Sequence, residues 1–284
     1  MGKISNFADL PQKYSTPEDS RIVIVPVPYD RTSTWLKGAD KGPAAIIEAS
    51  CNMELYDIET DSEVYREGIF TDEPVETDLP PEDLVQKVEK RVRSYIDVDK
   101  FIVTVGGEHS VSIGAAKAHI EQYEDVTVLQ LDAHSDLREQ YEGSKNNHAC
   151  VMARLREICP IVQVGIRSMD ISENKGLDKE RVFFAEDIYN RKNWMQEVVS
   201  LLSGRVYITI DLDVFDPSIM PSTGTPEPGG LLWYDVLSLL KMVFTDREVV
   251  GFDVVELCPN EINKAPDFLA AKLIYKLLSY KFRG

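Results

Sequence analysis

Apolar residues in this chain fall into short dense runs, separated by stretches where they recur every three or four positions. The runs Arg21–Pro26 (RIVIVP), Phe101–Val105 (FIVTV), Val126–Leu131 (VTVLQL), Ile161–Ile166, Val206–Ile210 (VYITI) and Val249–Leu257 (VVGFDVVEL) are β-branched and apolar at nearly every position. Such runs predict strands covered on both faces, as in a parallel sheet. Val182–Phe184 predicts a shorter strand of the same kind. Between the runs, Leu84, Val88, Val92 and Ile96 recur every four residues, the stripe of an amphipathic helix. Further helices are predicted at Pro43–Ser50, Val111–Tyr123, Ala149–Cys159, Trp194–Leu202, Tyr234–Phe244 and Asp267–Phe282. Gly204 suits the C-cap of the Trp194 helix. Lys272, Lys276, Lys281 and Arg283 gather toward the negative dipole end of the last helix. Asp57–Asp83, rich in acids and prolines, predicts a surface excursion with a short strand, and the proline- and glycine-rich Asp216–Gly230 a shaped lid. Strands alternating with helices predict a doubly wound α/β sheet. No repeat or long linker divides the 284 residues, so one domain is expected.

Charge and cysteine content narrow the functional classes. A net charge of −17 argues against nucleic acid, which wants a basic face. Cys51, Cys150, Cys159 and Cys258 form no C-x-x-C pair, which predicts reduced thiols in an intracellular protein. The first ten residues lack the apolar core of a secretory signal, and no apolar run approaches the ~20 residues that span a bilayer. A soluble, cytoplasmic chain with no membrane partner is expected.

The candidate chemistry sits where the strands end. Residues two apart in an extended chain point the same way. The Val126 run leads into LDAHSD, which presents Asp132, His134 and Asp136 together; the Val206 run leads into Asp211 and Asp213. The Phe101 run leads through Gly106-Gly107-Glu108 to His109, and Glu256 lies near the end of the Val249 run. Four aspartates converging without cations would repel one another, and burial would protonate them. Divalent metal is the economical source of positive charge. A solvated strand-end cluster is the plain alternative, and recurrence at three strand ends weighs against it. Six ligands exceed one tetrahedral zinc; four carboxylates with two imidazoles suit a pair of harder ions such as Mn²⁺. Two ions ~3.5–4 Å apart turn a shared water into hydroxide near neutral pH, a hydrolase's nucleophile. Gly106-Gly107 has no following G-K-[ST] and reads as a tight turn that lets His109 reach inward. His119, alone within a helix, reads as a surface or satisfied core residue.

These residues resemble the ureohydrolase family, the arginases and agmatinases. The motifs are GGEHS at Gly106–Ser110, LDAHSDL at Leu131–Leu137 and IDLDVFDP at Ile210–Pro217. The resemblance implies a three-layer αβα, arginase-like fold on an eight-stranded, mostly parallel sheet, with two Mn²⁺ per subunit. One ion would be bound by His109, Asp132, Asp136 and Asp211, the other by His134, Asp132, Asp211 and Asp213. His148 matches the family's proton-shuttling histidine, and Glu256 the glutamate that holds the substrate's guanidinium; Asp136 is placed to protonate the leaving amine. The hydroxide between the metals would attack the guanidinium carbon of a small cationic substrate. The loop DLREQYEGSKNNH at Asp136–His148 looks like agmatinase, and its Glu139 and Glu142 would suit an ammonium tail at the entrance. Hydrolysis of agmatine to putrescine and urea, a step of polyamine biosynthesis, is the leading expectation. The alternatives are a guanidinobutyrase, guanidinopropionase or arginase, and, from another class, a non-catalytic metal-binding scaffold. Family members assemble as trimers or hexamers, so a homotrimer or homohexamer is expected.

Overall fold

The computed structural model describes residues 6–282. Along it run β1 (Ile22–Val27), α1 (Gly42–Ser50), β2 (Ile69–Thr71), α2 (Pro81–Ile96), β3 (Phe101–Gly106), α3 (Val111–Gln122), β4 (Val126–Leu131) and α4 (Val151–Leu155). They are followed by β5 (Ile161–Ile166), β6 (Val182–Phe184), α5 (Ala185–Asn190), α6 (Trp194–Leu201), β7 (Arg205–Asp211), α7 (Trp233–Asp246), β8 (Glu248–Val255) and α8 (Ala265–Lys281). The strands form one eight-stranded sheet in the order β2-β1-β3-β8-β7-β4-β5-β6. Every pairing is parallel.

Alternate strand residues feed two separate cores. Ile24, Val103, Leu129, Ile208 and Phe252 pack with α1, α6, α7 and α8 on one face. Val23, Ile102, Val128 and Tyr207 pack with α2, α3 and α4 on the other. Burial on both faces is what makes these strands apolar at both parities, and it yields the expected arginase-like three-layer αβα fold. The order also places β3, β8, β7 and β4 side by side in mid-sheet, so the ends that carry His109, Glu256, Asp211 and Asp132 are neighbours. Ligands of open α/β sheets gather beyond such carboxyl ends.

Several local expectations are corrected. β1 runs through Pro26, whose carbonyl accepts from Val75 beyond the end of the three-residue β2. The N–H that proline lacks thus faces a side where no ladder partner remains. Gly204 is not a C-cap: Leu202, extended, ends α6, and Gly204 instead leads into β7. The Ala149 helix shortens to α4, preceded by a 3₁₀ turn at His148–Cys150 and followed by turns before Pro160. The basic residues of α8 serve tertiary contacts more than its dipole. Lys276 is buried against Asp57 and Glu59, Lys272 reaches the Glu54 carbonyl, and Lys281 the Val249 carbonyl. Arg283 and the first five residues of the N-terminal stretch lie outside the described residues. Among the described residues no helix is long and apolar enough to cross a membrane.

Candidate active site

The end of β3 is set by crowding. A Cβ on Gly107 would stand 2.0 Å from the Tyr29 carbonyl oxygen, and one on Gly106 2.3 Å from the Val111 side chain. Neither glycine has positive φ; Gly107 is needed for close approach to the Tyr29 backbone and Gly106 for close approach to Val111 and Val255, where the chain turns after β3. Gly107 and Glu108 then donate their N–H groups to the Val27 and Tyr29 carbonyls, which fixes the path into His109. The His109 N–H donates to Glu256 Oε1 at 2.6 Å. Glu256 itself sits just beyond β8 with φ +68° and donates its N–H to Gly107. The ends of β3 and β8 are thereby locked together.

His109 Nδ1 lies 3.2 Å from Asp132, 3.0 Å from Asp136 and 3.5 Å from Asp211. On the other side of the ring, Nε2 is 2.9 Å from Thr209 Oγ1, which donates to Asp253 at 2.7 Å. Ser112 and Tyr207 also donate to this buried carboxylate. Because the Thr209 proton goes to Asp253, the ring proton of His109 belongs on Nε2 and Nδ1 presents a bare lone pair. That Nδ1 is buried and makes no hydrogen bond. A bare nitrogen facing three carboxylates is repulsive unless positive charge stands there, a metal ion or a second ring proton. Burial opposes the charged ring, yet Asp132 and Asp136 push the His109 pKa well up.

The β4 and β7 ends meet it. Asp132 is fully buried and accepts from the His134 N–H and from Gln130 Nε2, each at 2.6 Å. Asp211 accepts from the Asp213 N–H, and Asp213 from the Ala133 N–H. His134 Nδ1 is 2.9 Å from Asp213. Two groups of donor atoms result, His109/Asp132/Asp211 and Asp132/His134/Asp213, the atoms of each within 4.8 Å of one another. Asp136 joins the first through its contact with His109. All six residues proposed as ligands thus converge. Asp132 belongs to both groups, and Asp211, in the first, accepts the Asp213 N–H and so lies against the second.

The electrostatics favour added positive charge. Burial, then the charges of Asp213 and Asp132, push the Asp211 carboxyl well above its ordinary range. Burial and Asp132 raise Asp136 to about 7, and burial and Glu108 raise Glu256. Burial opposes the charged form of Asp132 as well, yet His109 and His134 hold its carboxyl below the usual value. Among the described residues no lysine or arginine pairs with these four aspartates; their contacts are histidines. Oxygen-rich donors mixed with two imidazoles fit a pair of divalent ions of intermediate hardness.

A cavity of about 310 Å³ opens over this centre. Glu256, Asp136 and His148 line it, with Trp35, Tyr141 and Asp170 among the outer residues. Burial, then His109 and His134, push the His148 pKa down to about 4, so its imidazole is neutral. Glu139 and Glu142 are not on the wall: Glu139 is drawn outward by Arg154 and Arg156, and the nearby acids are Asp170 and Glu173. Glu173 is itself held by Ser135, the Leu137 N–H and Arg138.

Sequence reasoning missed Thr209 and Asp253, which back His109, and Glu108 and Thr32, which back His148. Thr209 was visible as a polar residue two before Asp211, on the parity that points into the α3 core. Glu108, adjacent to His109, was equally visible, but Thr32 and Ser33, which it holds beside His148, lie 76 and 75 residues away.

Fold and site together define an α/β protein with a candidate two-ion centre at the middle of a parallel sheet. Residues 20–279 match the Arginase family model. Over 274 residues the chain is 38% identical to an N(1)-aminopropylagmatine ureohydrolase of Synechocystis sp., covering 92% of this chain and 89% of that protein. It is 32% identical to an agmatinase of Pyrococcus horikoshii, covering 94% of each. The crystal structure of the agmatine ureohydrolase of Thermoplasma volcanium superposes with a TM-score of 0.89 at 32% identity, covering 99% of this chain and 95% of that one. This chain belongs to the arginase family of ureohydrolases.

Proposed function

We propose that the chain hydrolyses the guanidino group of agmatine to urea and putrescine, with two Mn²⁺ held by His109, Asp132, His134, Asp136, Asp211 and Asp213. The orphaned Nδ1 of His109 among buried carboxylates is the observation that carries the metal reading. Such a pair of ions supplies hydroxide near neutral pH and stabilises negative charge that develops on oxygen.

The chain's own groups do the rest. Glu256 Oε1 is engaged by the His109 N–H, and no hydrogen bond from a described residue reaches Oε2, which leaves it to accept from a guanidinium. That pairing also supplies the cation which this buried carboxyl lacks. Water oxygen adds to the guanidinium carbon, the bond from that carbon to the substituted nitrogen breaks, and the nitrogen leaves as an amine after taking a proton. Asp136 and His148, both on the cavity wall, are the groups that carry that proton.

The outer wall supports a tail that ends in an amine. Among the described residues Arg138 is the one arginine there and no lysine lines the wall. Its guanidinium already pairs with Glu173 and lies over the Tyr141 ring at 4.4 Å. A carboxylate tail would therefore find no free cation, whereas Asp170 lines the cavity and, with Oδ1 taken by Ser172, keeps Oδ2 as a partner for an ammonium. A second reading, agmatine carrying an aminopropyl arm, is favoured by the name of the 38% identical relative and by exposed Trp35 on the cavity wall, an apolar surface for a longer tail. Urea release from agmatine, N(1)-aminopropylagmatine, arginine, guanidinobutyrate and guanidinopropionate with Mn²⁺ separates the cases. Preference for either amine-tailed compound supports the proposal, and preference for arginine or the guanidino acids overturns it.

A further inference from the structure

The hydroxyl of Thr32 has one proton to give and two lone pairs with which to accept, and the structure accounts for all three. Its Oγ1 is 2.7 Å from Glu108 Oε1, 3.1 Å from His148 Nδ1 and 3.1 Å from the His148 backbone nitrogen. The backbone N–H can only donate, so one lone pair of Oγ1 is taken. Glu108 Oε1 also accepts from the Ser110 hydroxyl at 2.6 Å. Glu108 Oε2 accepts from the Thr32 and Ser33 N–H groups at 2.5 and 2.9 Å. An ionised carboxylate can only accept, and the 2.7 Å contact to it is shorter than the 3.1 Å contact to the neutral imidazole, so the Thr32 proton goes to Glu108. Only a lone pair then remains to face His148, and Nδ1 must carry the hydrogen.

We infer that Thr32, anchored by Glu108, is a positioning residue that holds His148 as the Nδ1–H tautomer and leaves Nε2 bare for proton transfer. The inference rests on the hydrolytic reading above for its kinetic consequence, though the contact stands by itself. A neutral imidazole has one donor and one acceptor nitrogen, and whichever hydrogen bond the first makes decides what the second can do. Nε2 makes no hydrogen bond to a described residue, while the ring lines the cavity and meets Tyr141 edge-on at 6.0 Å. With Nε2 bare, His148 can accept a proton from the water that adds and return it to the departing nitrogen. The opposite tautomer would present N–H to the cavity at the start of the cycle and could not accept. The device joins distant parts of the chain, since Thr32 lies in the loop after β1 and Glu108 in the turn after β3.

Thr32→Val removes the hydroxyl at nearly constant shape, and Thr32→Ser restores it. With the amine-tailed substrate that wild type prefers, Thr32→Val is expected to lower kcat roughly 10- to 100-fold while KM changes less. Thr32→Ser is expected to stay within about threefold of wild type. In a His148→Ala background the same Thr32→Val change should cost nothing further, because the residue it acts through is gone. The same four chains give a thermal cycle that needs no turnover: Tm losses of Thr32→Val and His148→Ala should sum to more than the loss in the double variant. Equal kcat in Thr32→Val and wild type, an undiminished Thr32→Val penalty without His148, a Thr32→Ser chain as slow as Thr32→Val, or additive Tm losses would overturn the inference. Wild type inert toward every guanidino compound would count against the hydrolytic reading alone, and the thermal cycle would still decide the contact.

Discussion

Asp132 has no exposed surface, its two oxygens already accept from His134 and Gln130, and it is the carboxylate common to both donor groups. Asp132→Ala should therefore release both ions. Elemental analysis after desalting is expected to show Mn²⁺ well below one per chain, with activity down by more than the roughly 10- to 100-fold that loss of a mere outer partner costs. His148→Ala should keep its metal and lose roughly 10²- to 10⁴-fold in kcat, the range of one proton-transfer group; metal loss in that variant would contradict the assignment. His119 shows what the pattern around it concealed. Read as an ordinary core or surface residue, it proves fully enclosed, with Nδ1 on the Ala115 carbonyl at 2.8 Å and Nε2 without a partner. Burial pushes its pKa down to about 4 from an ordinary 6.5. Between those values the unfolded chain binds a proton that the folded chain refuses, so stability falls as pH drops from about 6.5 to about 4. The loss approaches roughly 3 kcal/mol at the acid end. Urea unfolding across that window should show a shallower pH slope in His119→Asn than in wild type, whatever the variant's absolute stability.

At the scale of elements, α3 and β8 meet through that same ring. A Cβ on Gly251 would lie 2.2 Å from His119 Nε2, so Gly251→Ala forces the helix and strand apart. A cost of about 1–3 kcal/mol is expected, the usual range for overpacking. His119→Ala in the same chain should recover part of it; additive losses in chemical unfolding would refute the contact. The strands were legible because burial on both faces makes them apolar throughout. The D-x-H-x-D and D-x-D clusters were legible as ligand-type residues at strand ends, but the extended period of two does not carry through them: Asp136 has φ +52° and Asp213 lies in a 3₁₀ turn at Leu212–Val214. Contacts between elements were not. Glu139 looked like an entrance acid until Arg154 and Arg156 turned it outward. Lys276 looked like a dipole partner until Asp57, in a loop far upstream, buried it. Both depend on which surfaces the fold brings together, and no local periodicity encodes that.

For the whole molecule, an excess of acidic over basic residues sets a long-range field. A net charge of −17 should draw a cationic guanidine toward the cavity and repel one with an anionic tail. Raising ionic strength from about 0.02 to 0.5 M shortens the Debye length from about 20 to about 4 Å. For an amine-tailed substrate kcat/KM is then expected to fall several-fold; a salt-independent value would show that the field plays no part. The sheet order matters at this scale too, because only the adjacency of β3, β8, β7 and β4 turns four separate strand ends into one centre. The measurement that tests this centre most directly is urea release from agmatine while Mn²⁺ is titrated into metal-stripped protein. Activity should appear with the metal and level off near two equivalents per chain, with no such rise in Asp132→Ala. Protein that binds Mn²⁺ yet releases no urea from any amine-tailed guanidine, or an activity indifferent to both the metal and Asp132, would contradict the account.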